Sequence, residues 1–97
     1  MTTEKILEVL ANRFATRKQE MQTWASLSEE AEKYNRHKKA QEYEVMSQIS
    51  LAKMQEIAST YALITSKDVF DTMKELHKYA NKVAKGEKIY EALKEVF

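Results

Sequence analysis

The chain contains no proline, and its single glycine is Gly86. Those two residues turn a backbone at the least cost: glycine because it enters left-handed conformations freely, proline because it stops a helix. A 97-residue chain that does without them must spend most of its length in helix. The same poverty removes much of the usual chemistry. There is no glycine-rich phosphate loop and no cysteine, and there are two histidines.

Apolar residues make up 43% of the chain and charged residues 32%. That is enough apolar material for a core, and it argues against intrinsic disorder. Residues 1–97 read as one helical domain. Sixteen basic residues stand against 15 acidic ones, for a net charge of +1. No field of one sign pulls such a chain toward DNA, RNA or an anionic membrane. The absence of cysteine excludes disulfides and thiolate zinc sites and fits a reducing compartment. The longest apolar run, Tyr61 to Ile64, is far short of the ~20 residues that span a bilayer. The start, Met1-Thr2-Thr3-Glu4-Lys5, lacks the pattern of a signal peptide. A soluble, cytoplasmic protein is expected.

Thr2 or Thr3 can cap a first helix, with Glu4 suited to its dipole. Ile6, Leu7, Leu10, Phe14, Met21 and Trp24 then recur at helical spacing, with Arg17 in mid-stripe. The Arg17 stem is expected to pack while its guanidinium reaches the edge; the sharper alternative is a buried ion pair between helices. A break is expected near Thr23–Ser28, where Ser26-Leu27-Ser28-Glu29 resembles a capping box. From Ser28 to Ile64 the pattern predicts one long central helix, about 55 Å if continuous at about 1.5 Å per residue. Its apolar stripe is Met46, Ile49, Ile57, Tyr61 and Ile64, with Met54 at the edge. A kink at Ser47–Ser50 or Ser59-Thr60 would shorten it. The half from Ser28 to Glu42 is polar and would project or need a partner. A third helix is expected from a Thr65 cap, with Asp68 at N3 and Ile64 and Val69 as a hydrophobic staple. Its seam is Val69, Met73, Leu76, Ala80 and Val83, flanked by Phe70, His77 and Ala84, and Gly86 stops it. A short last helix follows with the stripe Ile89, Tyr90, Leu93, Val96 and Phe97. The expected fold is therefore all-α: a small bundle of three main helices plus a short C-terminal one.

Catalytic constellations are not evident. His37 and His77 are the candidate bases, and no local motif pairs either with a nucleophile. Lys74 and Tyr34 stand three residues before them, where a bundle metal site would place glutamate. No catalytic residue, cofactor or metal ligand is assigned, and the chain reads as non-enzymatic. The most pointed local feature is Lys33-Tyr34-Asn35-Arg36-His37-Lys38-Lys39. Four basic residues and a tyrosine crowd about two helical turns where the apolar stripe gives out. A solvated face explains the cluster, since Glu29 to Lys33 and Glu32 to Arg36 are ordinary i,i+4 pairs. A recognition surface explains it as well, with Tyr34 as the aromatic anchor. Arg13, Arg17 and Lys18 would join it in one basic patch at the middle of the hairpin, and Trp24 near the turn is a second anchor. The residues singled out for partner binding are Arg17, Trp24, Lys33, Tyr34, Arg36, His37, Lys38 and Lys39. The expectation is a helical protein–protein interaction module, an adaptor, regulator or inhibitor, with a protein partner or a second copy of itself. The alternative is a small nucleic-acid-binding module using Lys33 to Lys39, which the near-neutral charge disfavours.

Overall fold

The structure, a computed structural model, describes residues 2–84. They form three helices: α1 (Thr3–Lys33), α2 (His37–Thr65) and α3 (Val69–Ala84), with no strand among the described residues. The expected stop at Gly86 and the short helix after it lie outside the described residues. Thr2 caps α1, its hydroxyl accepting the Lys5 N–H at 3.2 Å.

The break between the first two helices is not at Thr23–Ser28. Helix α1 runs through that region for a total of 31 residues. The hydroxyls that read as caps are spent elsewhere: Thr23 donates to the Gln19 carbonyl one turn back, and Ser28 donates across the hairpin to the Ala40 carbonyl at 2.9 Å. The turn falls at Tyr34–Arg36, and it is made without glycine. Asn35 takes the left-handed conformation, φ 57°, which asparagine tolerates better than most side chains. The Asn35 N–H donates to Glu32 O at 3.1 Å and the Arg36 N–H to Ala31 O at 2.8 Å. These are the two bonds of a Schellman motif, and they satisfy carbonyls the helix end would leave open.

One long central helix over Ser28–Ile64 is therefore replaced by two helices of 31 and 29 residues. Their near-equal lengths make a flush hairpin with no projecting rod. What read as a polar extension is the hairpin's tip. Helix α2 is unbroken through both places where a kink was expected. Ser47 donates to the Met21 carbonyl of α1 at 3.2 Å, and Ser59 and Thr60 donate to carbonyls one turn back.

The buried face of α2 is also rotated from the expected stripe. Buried are Ala40, Ser50, Met54, Ala58, Tyr61 and Ala62. Met54, expected at the edge, is 0% exposed, while Met46, Ile49 and Ile64 are 39%, 42% and 38% exposed. The reason is steric. Alanine and serine let two helix backbones come close enough for a serine hydroxyl to reach the opposite helix's carbonyl. Larger apolar side chains are left to the flanks of that seam. In α1 the matching seam contains Ala11, Phe14, Ala15 and Ala31.

Helix α3 is capped by Asp68 rather than Thr65. The Asp68 carboxylate accepts the N–H groups of Phe70 and Asp71 at 3.0 and 3.3 Å, while Thr65 donates back to Tyr61 O. The staple expected from Ile64 and Val69 loses its register with that shift. Ser66, left-handed at φ 56°, ends α2. The α3 seam holds as expected at Met73, Leu76, Ala80 and Val83, while Val69, expected as its first member, is exposed. Thr72 and Tyr79 are buried with it. The Tyr79 hydroxyl donates to Asn12 Oδ1 at 2.6 Å. Burial, then the nearby Glu8, push the Tyr79 pKa above its ordinary value, which keeps the phenol a donor.

Phe14, Met54, Ala58, Tyr61, Leu76 and Ala80 are the centre of the core that joins the three helices. Met54→Ala should lower unfolding free energy by about 2–5 kcal/mol, the cost of an unfilled core site. Ile49→Ala, on the exposed flank, should cost less than about 1 kcal/mol. Urea denaturation of both variants measures the difference. Equal losses would mean that the seam is misplaced.

Candidate interaction surface

Helix α3 meets the hairpin on one flank. Tyr79 bonds Asn12, the Lys18 ammonium donates to Asn81 Oδ1 at 2.7 Å, and the Phe14 and His77 rings meet edge to face at 5.1 Å. Successive helical residues are about 100° apart. On that spacing Arg17 and Trp24 of α1 and Met46, Ile49, Ile57 and Ile64 of α2 point to the opposite flank. The two bonds that set the hairpin's register, Ser28 to Ala40 and Ser47 to Met21, align these residues side by side along it.

At the tip this flank opens into a pocket of about 440 Å³. Leu27, Glu30 and Ala31 line it from α1, Tyr34 and Arg36 from the turn, and Lys39 and Tyr43 from α2. Trp24 stacks on Tyr43 with ring centroids 5.7 Å apart and planes 24° from parallel. The Lys39 ammonium lies 5.8 Å over the Tyr43 ring and pairs with Glu42 at 3.5 Å. Tyr34, at the C-cap of α1, is 69% exposed. An aromatic platform with two cations at its edge suits an apolar or aromatic side chain accompanied by a carboxylate.

The turn sorts the sequence-derived candidates. Tyr34, Arg36 and Lys39 come together in the tip pocket, and Trp24 joins them through its stack on Tyr43. Lys33, His37 and Lys38 are exposed near it but do not line the pocket. His37 Nδ1 lies 3.0 Å from the Glu32 carboxylate. Arg17 pairs with Glu20 on its own helix at 2.8 Å, so it makes neither a buried inter-helix pair nor a tip contact. The single basic patch expected from Arg13, Arg17, Lys18 and the cluster does not form. Sixteen residues of helix separate Arg17 from Lys33, about 24 Å, and Lys18 turns to Asn81 on the α3 flank. Tyr43 is the tip residue that sequence reasoning missed. Its signal was the i,i+4 spacing from Lys39 at the point where the apolar stripe of α2 begins.

Among the described residues no three His, Asp or Glu side chains gather as a metal site. No described helix is long and apolar enough to cross a membrane. No protein-family model, curated protein or solved structure matches the chain.

The fold perturbs the titration of His77. Burial first, then the Lys18 charge, hold its pKa below the ordinary value. The folded protein therefore favours neutral imidazole. As pH falls below about 6.5, the unfolded chain takes up the proton first and stability declines. The decline ends once pH is below the folded-state pKa. His77→Gln should flatten this stretch of the stability profile, and Lys18→Gln should raise the His77 pKa in an NMR titration. An unchanged profile in His77→Gln would remove His77 as its source.

Proposed function

We propose that this protein is a non-enzymatic interaction module that docks a protein partner through the flank of the hairpin opposite α3. The carrying observation is the convergence at the tip. Tyr43, exposed Tyr34, and the cations Arg36 and Lys39 line one pocket, Trp24 stacks on Tyr43 behind it, and half-exposed Met46 and Ile49 continue from it along α2. Aromatic and arginine side chains around a recess are the residue types that anchor interfaces. The partner that fits is a protein segment with an apolar anchor for the pocket and a carboxylate for Arg36 and Lys39. A small adaptor, regulator or inhibitor works by such docking alone. The cysteine-free composition suits work in a reducing cytoplasm.

The test uses Tyr34→Ala, Arg36→Glu and Lys39→Glu combined. These side chains are exposed, so helicity and Tm should stay near wild type. A partner recovered on the immobilised wild-type chain should bind the triple variant at least about tenfold more weakly. The emission of Trp24, the single tryptophan, should report docking directly. Unchanged affinity would remove the tip from the function. Light scattering at two concentrations should return the mass of one chain; twice that mass would assign the flank to a second copy. Duplex DNA that binds at low salt and dissociates steeply as salt rises would move the function to nucleic acid.

A further inference from the structure

On the other side of α2 a trough of about 800 Å³ runs between α2 and α3. It is separate from the tip pocket and from the flank that carries Met46 and Ile49. Its lining from α3 is largely apolar: Val69, Phe70, Met73 and the His77 ring. Phe70 is 78% exposed and Val69 43%. An aromatic residue that open, beside three other apolar surfaces, is the feature of α3 that the packing of the described residues does not use. The sequence placed Phe70 and His77 on the flank of the α3 seam, and the structure turns that flank toward Gln55 and Ser59 of α2.

We infer that this trough is a second docking site, and that its occupant is an amphipathic helix of a partner protein with acidic residues along its edge. Shape comes first. Two packed helices leave a straight groove, and a third helix fills such a groove by laying its ridge of side chains into it. Val69 to Asn81 bound about 18 Å of α3, the length of a helix of about three turns. Charge chooses among helices. Among the described residues the charged ones lining the trough are Lys74 and Lys78, and neither makes an ion pair with another described residue. No carboxylate among the described residues lines it. The nearby Glu75 is turned away and holds Lys67 at 3.2 Å. Lys74 and Lys78 are one turn apart on the same wall, so glutamates one turn apart on the incoming helix meet both. His77 stays neutral near pH 7, because burial and Lys18 disfavour its charged form, and so its ring adds to the uncharged lining. The opposite wall, Gln55 and Ser59, is polar and uncharged, which places the acidic edge of the occupant on the α3 side. This site does not depend on the tip, and with it the protein has two faces through which to bridge partners.

Two fluorescent peptides of 14 residues test it on the full chain. Both carry leucines at i, i+3, i+4 and i+7; one has glutamates beside the stripe, the other lysines. The glutamate peptide should bind at least about tenfold more tightly at low salt. Its amide shift changes should centre on Val69 to Asn81. Phe70→Ser should weaken binding at least about tenfold, and because Phe70 is exposed the variant should keep its Tm. Lys74→Glu with Lys78→Glu should reverse the preference toward the lysine peptide. Tyr34→Ala, Arg36→Glu and Lys39→Glu at the tip should leave the peptide affinity unchanged, which separates this site from the first. Equal binding of the two peptides, absence of binding, or shift changes centred on the tip would overturn the inference. Saturable binding of oleate at Phe70 without peptide binding would also overturn it, and would assign the trough to an anionic lipid.

Discussion

The close approach of α1 and α2 is the interaction on which the rest depends. Ala40, Ser50, Ala58 and Ala62 give α2 a low surface, and Ala11, Ala15 and Ala31 answer it from α1. Small residues bury little apolar area each, so such a seam gains less from water exclusion than a leucine seam would. It offsets this by close packing of backbone against backbone and by two serine hydroxyls that bond carbonyls across the interface. Among the described residues no buried side-chain polar atom lacks a partner. The bulkier residues Phe14, Met54 and Leu76 then concentrate where α3 joins, and the three-helix core forms at that place.

The seam has a second consequence. A helix pair that packs through its smallest side chains pushes its larger ones to the flanks. One flank of the hairpin receives α3. The other retains Met46, Ile49 and Ile64 partly in solvent, and the tip adds the Trp24–Tyr43 stack. The exposed apolar surface is thus a product of how the hairpin packs. That is the physical basis for treating it as an interaction surface, because single scattered apolar residues are ordinary on any protein whereas an aligned row beside an aromatic pocket is not.

How much could be read from the chain alone differs from element to element. The α1 stripe and the α3 seam were legible because their large apolar residues recur at helical spacing and α3 needs only one buried face. The α2 seam was legible only at Tyr61 and Ile57, which pack in or against the core, because a hydrophobic pattern weighs Ile49 above Ser50 and Met46 above Ala40, while the geometry of the pair selects the reverse. The turn was missed for a related reason. Ser26-Leu27-Ser28-Glu29 has the form of a helix start, yet Tyr34-Asn35-Arg36 makes the turn, because Asn35 accepts φ 57° and a Schellman pair of bonds closes it. Of the candidate site, Trp24, Tyr34, Arg36 and Lys39 were legible as residue types. Their division from Lys33, His37, Lys38 and Arg17 was not, since it follows from where the turn falls.

The sequence by itself determined that the chain is helical and carries no cysteine chemistry. Without proline, and with one glycine near its end, few other backbone conformations are favourable, and these are local properties of each residue. Only the tertiary structure decided where the hairpin turns, which face of α2 is buried and which residues share the tip. Those choices depend on how closely two helices can approach, and that distance is a property of the pair, which neither helix encodes alone.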